Sequence, residues 1–190
     1  MSRRISIRIT GSGAVVAAGC ILILPLRWVL AAVMAACVHE LAHITALKIC
    51  RIRIRAMEFG AFGAVIEAEP MCPKQQLICA MAGPWGSLSL MLFGKWMPLV
   101  SLFGLVQGVF NLLPFYPMDG GRIMRSFLSI IAPVYGERIA DYICKAFLLL
   151  LFCLLLLLEW SNLTVLLLIC LILRILVRNN SCKDCILGLQ

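Results

Sequence analysis

The chain has 190 residues, of which 63% are hydrophobic and 14% charged, and its mean hydropathy is +1.02. A soluble domain is nearer half apolar and a quarter charged, so this composition excludes an ordinary soluble enzyme or binding module. The net charge of +8 does not indicate a nucleic-acid partner, because the basic residues cluster at the ends of apolar segments. We therefore expect a polytopic α-helical membrane protein whose immediate partner is the lipid bilayer.

Apolar segments in chain order predict about six transmembrane helices. They cover residues 10–25, 28–48, 75–93, 97–116, 138–158 and 162–178. Each approaches the roughly 20 residues that a helix needs to cross the hydrocarbon core. The N-terminal part resembles a signal peptide, and we interpret it as an uncleaved first span. In the third segment, residues 82–87 combine a proline with small residues, which predicts a kink and close helix packing.

The basic residues predict the orientation of these helices. If the N-terminus is cytoplasmic, only Arg27 and Lys95 of the 17 lysines and arginines lie on the external side. The even number of spans then makes the C-terminus cytoplasmic as well, with residues 179–190 as a short tail. We expect a multi-pass protein of a bacterial cell membrane.

The second apolar segment contains both histidines of the chain, at positions 39 and 43. Positions i and i+4 share one face of a helix, so His39 and His43 can bind one metal ion. Glu40 lies beside His39 and can reach a water molecule on that ion. This is the H-E-x-x-H zinc pattern, in which the glutamate is the general base.

Residues 51–69 differ from the apolar segments around them. Arginines alternate with isoleucines from Arg51 to Arg55, and a glycine-containing stretch follows. This pattern predicts a β-hairpin or small sheet at the cytoplasmic membrane surface. The segment is either a basic loop that contacts anionic lipid or an exposed strand edge that pairs with an extended peptide.

A catalytic zinc site usually has three protein ligands, and the chain has no third histidine. Among the acidic residues, Asp119 has the most informative surroundings. Pro114 and Pro117 end the fourth helix before it, and Gly120 and Gly121 allow unusual backbone angles after it. Asp119 could instead only cap a short helix that begins at Gly120.

Glu58 is the second candidate for the third ligand. It follows an alternating basic strand, whereas soluble zincins take their downstream glutamate from a helix.

With both motifs in view, the chain resembles the site-2 protease family of intramembrane zinc metalloproteases. The H-E-x-x-H pattern matches the first family motif, and Asn111, Pro114 and the Asp119-Gly120 pair match the second. Ala82, Gly83 and Pro84 resemble a recurrent element between them. Residues 111–123 are most similar to the compact sporulation-protease branch.

The resemblance implies one zinc ion per chain, bound by His39, His43 and Asp119. It implies Glu40 as the general base and Asn111 as the polar group that orients the substrate or stabilises the oxyanion. The substrates would be membrane-spanning or membrane-associated proteins, such as a membrane-tethered transcription factor or its anchor. A regulatory membrane partner could control their access.

The chain departs from common family members because it contains neither an inserted PDZ domain nor a C-terminal CBS domain. We expect one membrane-embedded domain over residues 1–190. Two other functions stay open: a non-proteolytic zinc-binding scaffold or transporter, and a membrane zincin of another group that uses Glu58. Cys182 and Cys185 form a single C-x-x-C pair, which supplies too few ligands for a closed structural zinc site.

Overall fold

The computed structural model describes residues 6–60 and 63–157, which form six α-helices and a three-stranded sheet. In chain order the elements are β1 (Ser6–Ile9), α1 (Gly11–Ile23), α2 (Leu26–Ile49), β2 (Ile54–Gly60), β3 (Gly63–Ala68), α3 (Pro73–Ser89), α4 (Pro98–Asn111), α5 (Asp119–Ile131) and α6 (Gly136–Leu157). A 3-10 turn, Leu90–Phe93, extends α3. The chain is therefore mostly helical, as its composition predicts.

Local sequence signals account for several helix ends. Thr10 caps α1 by accepting a hydrogen bond from the backbone of Gly13. Prolines occupy the first turns of α3 and α4, where a missing N–H costs nothing. After α2, Arg51 takes a left-handed conformation with φ 57°, and the Ile52 N–H donates to the Leu47 carbonyl. This closure ends α2 and turns the chain into the sheet.

The sheet has the order β1-β2-β3, so β2 is central and β3 is an edge strand. β2 and β3 form the antiparallel hairpin predicted for residues 51–69, with Glu58 opposite Val65. β1 pairs with β2 in parallel, with Arg8 opposite Glu58. The sequence analysis did not predict β1, although residues 6–9 alternate in the same way as residues 51–55.

Five of the predicted spans correspond to helices, namely α1, α2, α3 with its 3-10 turn, α4 and α6. Two of these, Leu26–Ile49 and Pro73–Phe93, are long and apolar enough to cross a membrane by length and composition. α1 and α4 are shorter, with 13 and 14 residues. The predicted sixth span, the C-terminal tail and the C-x-x-C pair lie outside the described residues.

The contacts between helices are made largely by small side chains. Buried residues of this kind are Ala31 and Ala35 on α2, Ala80 and Ser87 on α3, and Gly104 and Gly108 on α4. Many large hydrophobic side chains instead face outward, such as Leu22, Leu92 and Trp85. This distribution is the reverse of a soluble core and is typical of helices that pack within lipid.

α5 is a helix of 13 residues that begins at Asp119, whereas the sequence analysis considered only a short helix that begins at Gly120. It packs between α3 and α6, and it begins immediately after the segment 112–118 that follows α4. Phe115, 2% exposed, anchors this segment by packing against Leu148 and stacking on Phe147 of α6. Arg125 of α5 also forms an ion pair with Asp141 of α6. These contacts determine where the first residue of α5, Asp119, lies.

Candidate metal centre

Three side chains from two distant parts of the chain converge at one point. His39 and His43 lie one turn apart on α2, and Asp119 is the first residue of α5. The Nε2 atoms of the two histidines are 3.2 Å apart, and each lies 3.1 Å from Asp119 Oδ2. These atoms form a nearly equilateral triangle in which His39 is 4% and Asp119 5% exposed.

The dimensions of this triangle fit a single zinc ion. Ligand atoms about 2.0–2.1 Å from a tetrahedral zinc ion are about 3.3 Å from one another, close to the observed edges. Three electron-rich atoms at this separation repel one another unless a cation or protons lie between them. Two imidazoles and one carboxylate are also a ligand set that zinc accepts. The residues present therefore fit a zinc ion bound by His39, His43 and Asp119.

The third helix orients both imidazoles through their other ring nitrogens. His43 Nδ1 lies 2.7 Å from the Cys79 carbonyl oxygen, and His39 Nδ1 lies 2.8 Å from Ser87 Oγ. A carbonyl only accepts hydrogen bonds, so Nδ1 of His43 must carry the proton and Nε2 keeps its lone pair. Such contacts to the second nitrogen are typical of metal-binding histidines.

The small residues in the middle of α3 make this close contact possible. A Cβ atom on Gly83 would lie 2.2 Å from His43 Nε2, and one on Gly86 would lie 2.6 Å from the Ala42 Cβ. Both residues must therefore be glycine for α2 to approach α3. This confirms the close packing predicted for residues 82–87, and it places the imidazoles directly against the α3 backbone.

Asp119 is positioned by the backbone around it. A Cβ atom on Gly120 would lie 2.2 Å from the Leu112 carbonyl oxygen, and one on Gly121 would lie 2.6 Å from the Phe115 backbone. Both glycines are helical, so they provide space for close approach, and the expectation of unusual backbone angles is wrong. Asp119 does not cap the helix either, because Met118 occupies the N-cap position.

Asp119 supplies the negative charge of the cluster. Its carboxylate oxygen Oδ2 lies 3.1 Å from Nε2 of each histidine. An ionised carboxylate is the form that binds a metal ion.

Glu40 lies beside the cluster on α2 and is half-buried. The groups that act on it electrostatically are His43, His39, Asp119 and Arg122. Glu40 therefore lies next to the cluster, although it takes no part in the triangle itself.

Two other candidates from the sequence lie apart from the triangle. The Asn111 side-chain amide donates to the Gln107 carbonyl of its own helix, at 3.1 Å. Glu58 belongs to the central strand of the sheet, between Arg8 and Val65. Among the described residues, the one group that could hold a metal ion consists of His39, His43 and Asp119.

The sequence analysis missed two contributors to the site. Ser87 could have been suspected, since a polar side chain within an apolar helix often has a function. Cys79 lies on α3, and its side chain is buried. Its contribution is a backbone carbonyl, for which no side-chain signal exists.

Comparisons with known proteins agree with this geometry. Residues 91–155 match the family model for Peptidase family M50. The proposed zinc metalloprotease Rip3 of Mycobacterium tuberculosis is 31% identical over 109 residues, which cover 47% of this chain and 28% of that protein. The zinc metalloprotease MJ0392 of Methanocaldococcus jannaschii is 30% identical over 105 residues, covering 48% of this chain and 31% of the relative. The chain thus spans about a third or less of the length of these relatives.

A solved structure extends the likeness to most of the chain. The site-2 protease from Methanocaldococcus jannaschii superposes with a TM-score of 0.62 and 23% identity, and the match covers 89% of each chain. The M50 match includes Asn111 and Asp119, and the likeness in fold extends beyond that segment. The chain therefore has the fold of a site-2 protease and matches Peptidase family M50 over residues 91–155.

Proposed function

We propose that this protein is a zinc endopeptidase that cleaves membrane-spanning or membrane-associated proteins near the cytoplasmic face of the membrane. The observation that carries the proposal is the convergence of His39, His43 and Asp119 within 3.2 Å of one another, with Glu40 beside them. The names of the M50 relatives, which are zinc metalloproteases, support the same chemistry.

Each residue of the site has a separate task in this mechanism. His39, His43 and Asp119 would hold the zinc ion, which when bound would lower the pKa of water and polarise the scissile carbonyl. Glu40 accepts a proton from the water that attacks this carbonyl, and it returns that proton to the amine that leaves. The Asn111 side-chain amide now donates to the Gln107 carbonyl. To stabilise the oxyanion, it would have to leave this partner and turn towards the substrate.

The proposed location in a membrane has support from the helices. α2 is 24 residues long, and large apolar side chains face outward along it, among them Leu30, Val33 and Leu41. A soluble enzyme rarely exposes so much contiguous apolar surface. His43 precedes Lys48 by about 8 Å along the helix axis, so the site would lie within the bilayer near its cytoplasmic face.

Glu40→Gln and Asp119→Ala separate the proposed function from its alternatives. Glu40→Gln keeps the size of the side chain and removes the base, so we expect cleavage of a co-expressed membrane substrate to fall by at least about 100-fold. Zinc content, measured on the purified protein in detergent, should stay near one ion per chain. Substantial residual cleavage by this variant would exclude Glu40 as the general base.

Asp119→Ala should lose both zinc and cleavage, because two histidines alone do not complete a catalytic zinc site. Glu58→Ala is the matched control and should retain both. The opposite result, with zinc lost only from the Glu58 variant, would indicate a zincin of another group. Zinc binding without any cleavage in the unsubstituted protein would indicate a scaffold or transporter.

The identity of the substrate is a finer proposal that rests on resemblance. A membrane-tethered transcription factor or its anchor fits an enzyme that cuts near the cytoplasmic face. If the resemblance to the compact sporulation-protease branch holds, we expect a membrane partner to regulate this protein. The membrane proteins that accumulate uncleaved in a deletion strain would identify the substrate directly.

A further inference from the structure

Ser87 is the side chain that contacts the first histidine of the cluster from behind. Its Oγ lies 2.8 Å from His39 Nδ1, on the side of the ring opposite Asp119. Ser87 is 0% exposed, so neither water nor lipid can replace this contact. Nε2 of His39 points into the triangle, and it can offer a lone pair there only if Nδ1 carries the proton.

The surrounding helices hold the Ser87 side chain in place. A Cβ atom on Gly104 would lie 2.7 Å from the Ser87 carbonyl oxygen, and one on Gly108 would lie 3.3 Å from the Ser87 Cβ. α4 therefore packs directly against Ser87, because Gly104 and Gly108 have no side chains that would keep the two helices apart. A buried hydroxyl left without a partner is destabilising, which favours retention of the contact with His39.

The two histidines differ in how they are oriented. A backbone carbonyl, that of Cys79, orients His43, and no side-chain substitution removes it. His39 depends on the identity of residue 87. Cys79, Gly83 and Ser87 are spaced by four residues, so they lie on one face of α3. Cys79 and Ser87 supply the two hydrogen-bond acceptors, and Gly83 between them leaves space for the imidazoles.

We infer that Ser87 is a positioning residue that holds the His39 imidazole in the tautomer and orientation required for zinc binding. This inference rests on the proposed metal centre but not on proteolysis. Ser87 acts only through His39, and the hydroxyl, not the volume of the side chain, is the group that matters. Loss of an outer partner of this kind typically weakens metal affinity by about 10–100-fold.

The experiment compares zinc affinity among variants of the full chain purified in detergent, by competition with a chelator. Ser87→Thr and Ser87→Val have the same shape and differ only in the hydroxyl. We expect Ser87→Ala and Ser87→Val to bind zinc about 10–100-fold more weakly and Ser87→Thr to bind nearly as the unsubstituted protein does. Ser89→Ala is the matched control, since Ser89 is exposed and its hydroxyl donates to the Gly86 carbonyl of its own helix.

The visible spectrum of the cobalt-substituted protein adds a readout of ligand geometry that does not depend on cleavage. Its bands should shift in the Ala and Val variants and stay unchanged in the Thr variant. Equal losses of affinity in Thr and Val would show that packing alone matters, and full affinity in Ala and Val would also overturn the inference. Tight zinc binding without peptidase activity in the unsubstituted protein would refute the proposed function and leave the role of Ser87 standing.

Discussion

A Cβ atom at Gly83 would lie 2.2 Å from His43 Nε2, 2.5 Å from His43 Cε1 and 2.8 Å from His39 Cε1. Real side chains do not approach so closely, so any other residue at this position must displace an imidazole or separate α2 from α3. Gly83 thus belongs to the site although it has no functional group of its own. Its contribution is the space in which both histidines lie against α3.

Gly83→Ala should therefore weaken zinc binding by at least about 10-fold, with a loss of stability of about 1–3 kcal/mol from overpacking. Gly19→Ala is the matched control, because a Cβ atom at Gly19 of α1 meets nothing within 4 Å. That variant should keep its zinc and, if anything, gain stability from the better helix propensity of alanine. Unchanged zinc affinity in Gly83→Ala would show that the two helices can separate without disturbing the ligands.

At the scale of elements, the edge strand β3 offers a second surface that proteolysis could use. A helix keeps its peptide bonds in internal hydrogen bonds, so a protease in the membrane needs its substrate unwound. An edge strand supplies replacement partners for such an extended segment. The Glu69 N–H donates to the Arg53 carbonyl, so by alternation the N–H groups of Ala64 and Ile66 should point away from β2.

Proline at Ala64 should impair cleavage and leave zinc content unchanged, because proline removes an outward N–H that a substrate strand would use. Ile66→Pro should do the same, with an added loss of stability since Ile66 packs against Ala46, Leu47 and Cys79. Val65→Pro is the matched control and should instead weaken the pairing of β3 with β2. Arg53→Gln should have less effect if Arg53 only contacts lipid headgroups. Normal cleavage by both the Ala64 and Ile66 variants would show that the segment is a passive surface loop.

At the scale of the whole molecule, basic residues collect at one end of the long apolar helices. Lys48 lies in the last turn of α2, Lys74 in the first turn of α3, and Arg51, Arg53 and Arg55 are exposed beside them. The opposite end contains Arg27 at the start of α2 and Lys95 between the 3-10 turn and α4. By the positive-inside rule, this asymmetry predicts that the basic end faces the cytoplasm.

A reporter inserted at residues 95–97 should therefore read external, and one fused after Gln190 should read cytoplasmic. Alkaline phosphatase reports the external side and a fluorescent protein reports the cytoplasm. Each insertion site should therefore give a signal with only one of the two reporters. An external reading after Gln190 would mean that the number of spans is odd and that the predicted map is wrong.

The sequence by itself determined the helical class, the β-hairpin and the zinc-ligand motif on α2, because each depends on local periodicity or spacing. The i, i+4 relation of His39 and His43 follows from helix geometry alone. The pairing of β1 with β2 and the full extent of α5 could not be read in this way. Four residues are too few for periodicity to define a strand, and the sequence analysis considered only a short helix after Asp119.

Only the tertiary structure decided which carboxylate faces the histidines and what holds the imidazoles. Asp119 and His43 are 76 residues apart in the chain, and their contact depends on the packing of α5 against α3 and α6. Ser87 contacts His39 across 48 residues, and the Cys79 carbonyl meets His43 across 36. Such contacts require helices to pack so closely that only glycine fits between them. The sequence also gives no sign of which backbone carbonyl will accept a hydrogen bond. Spacing along the chain can therefore propose a metal site, but the close approach of separate helices completes it.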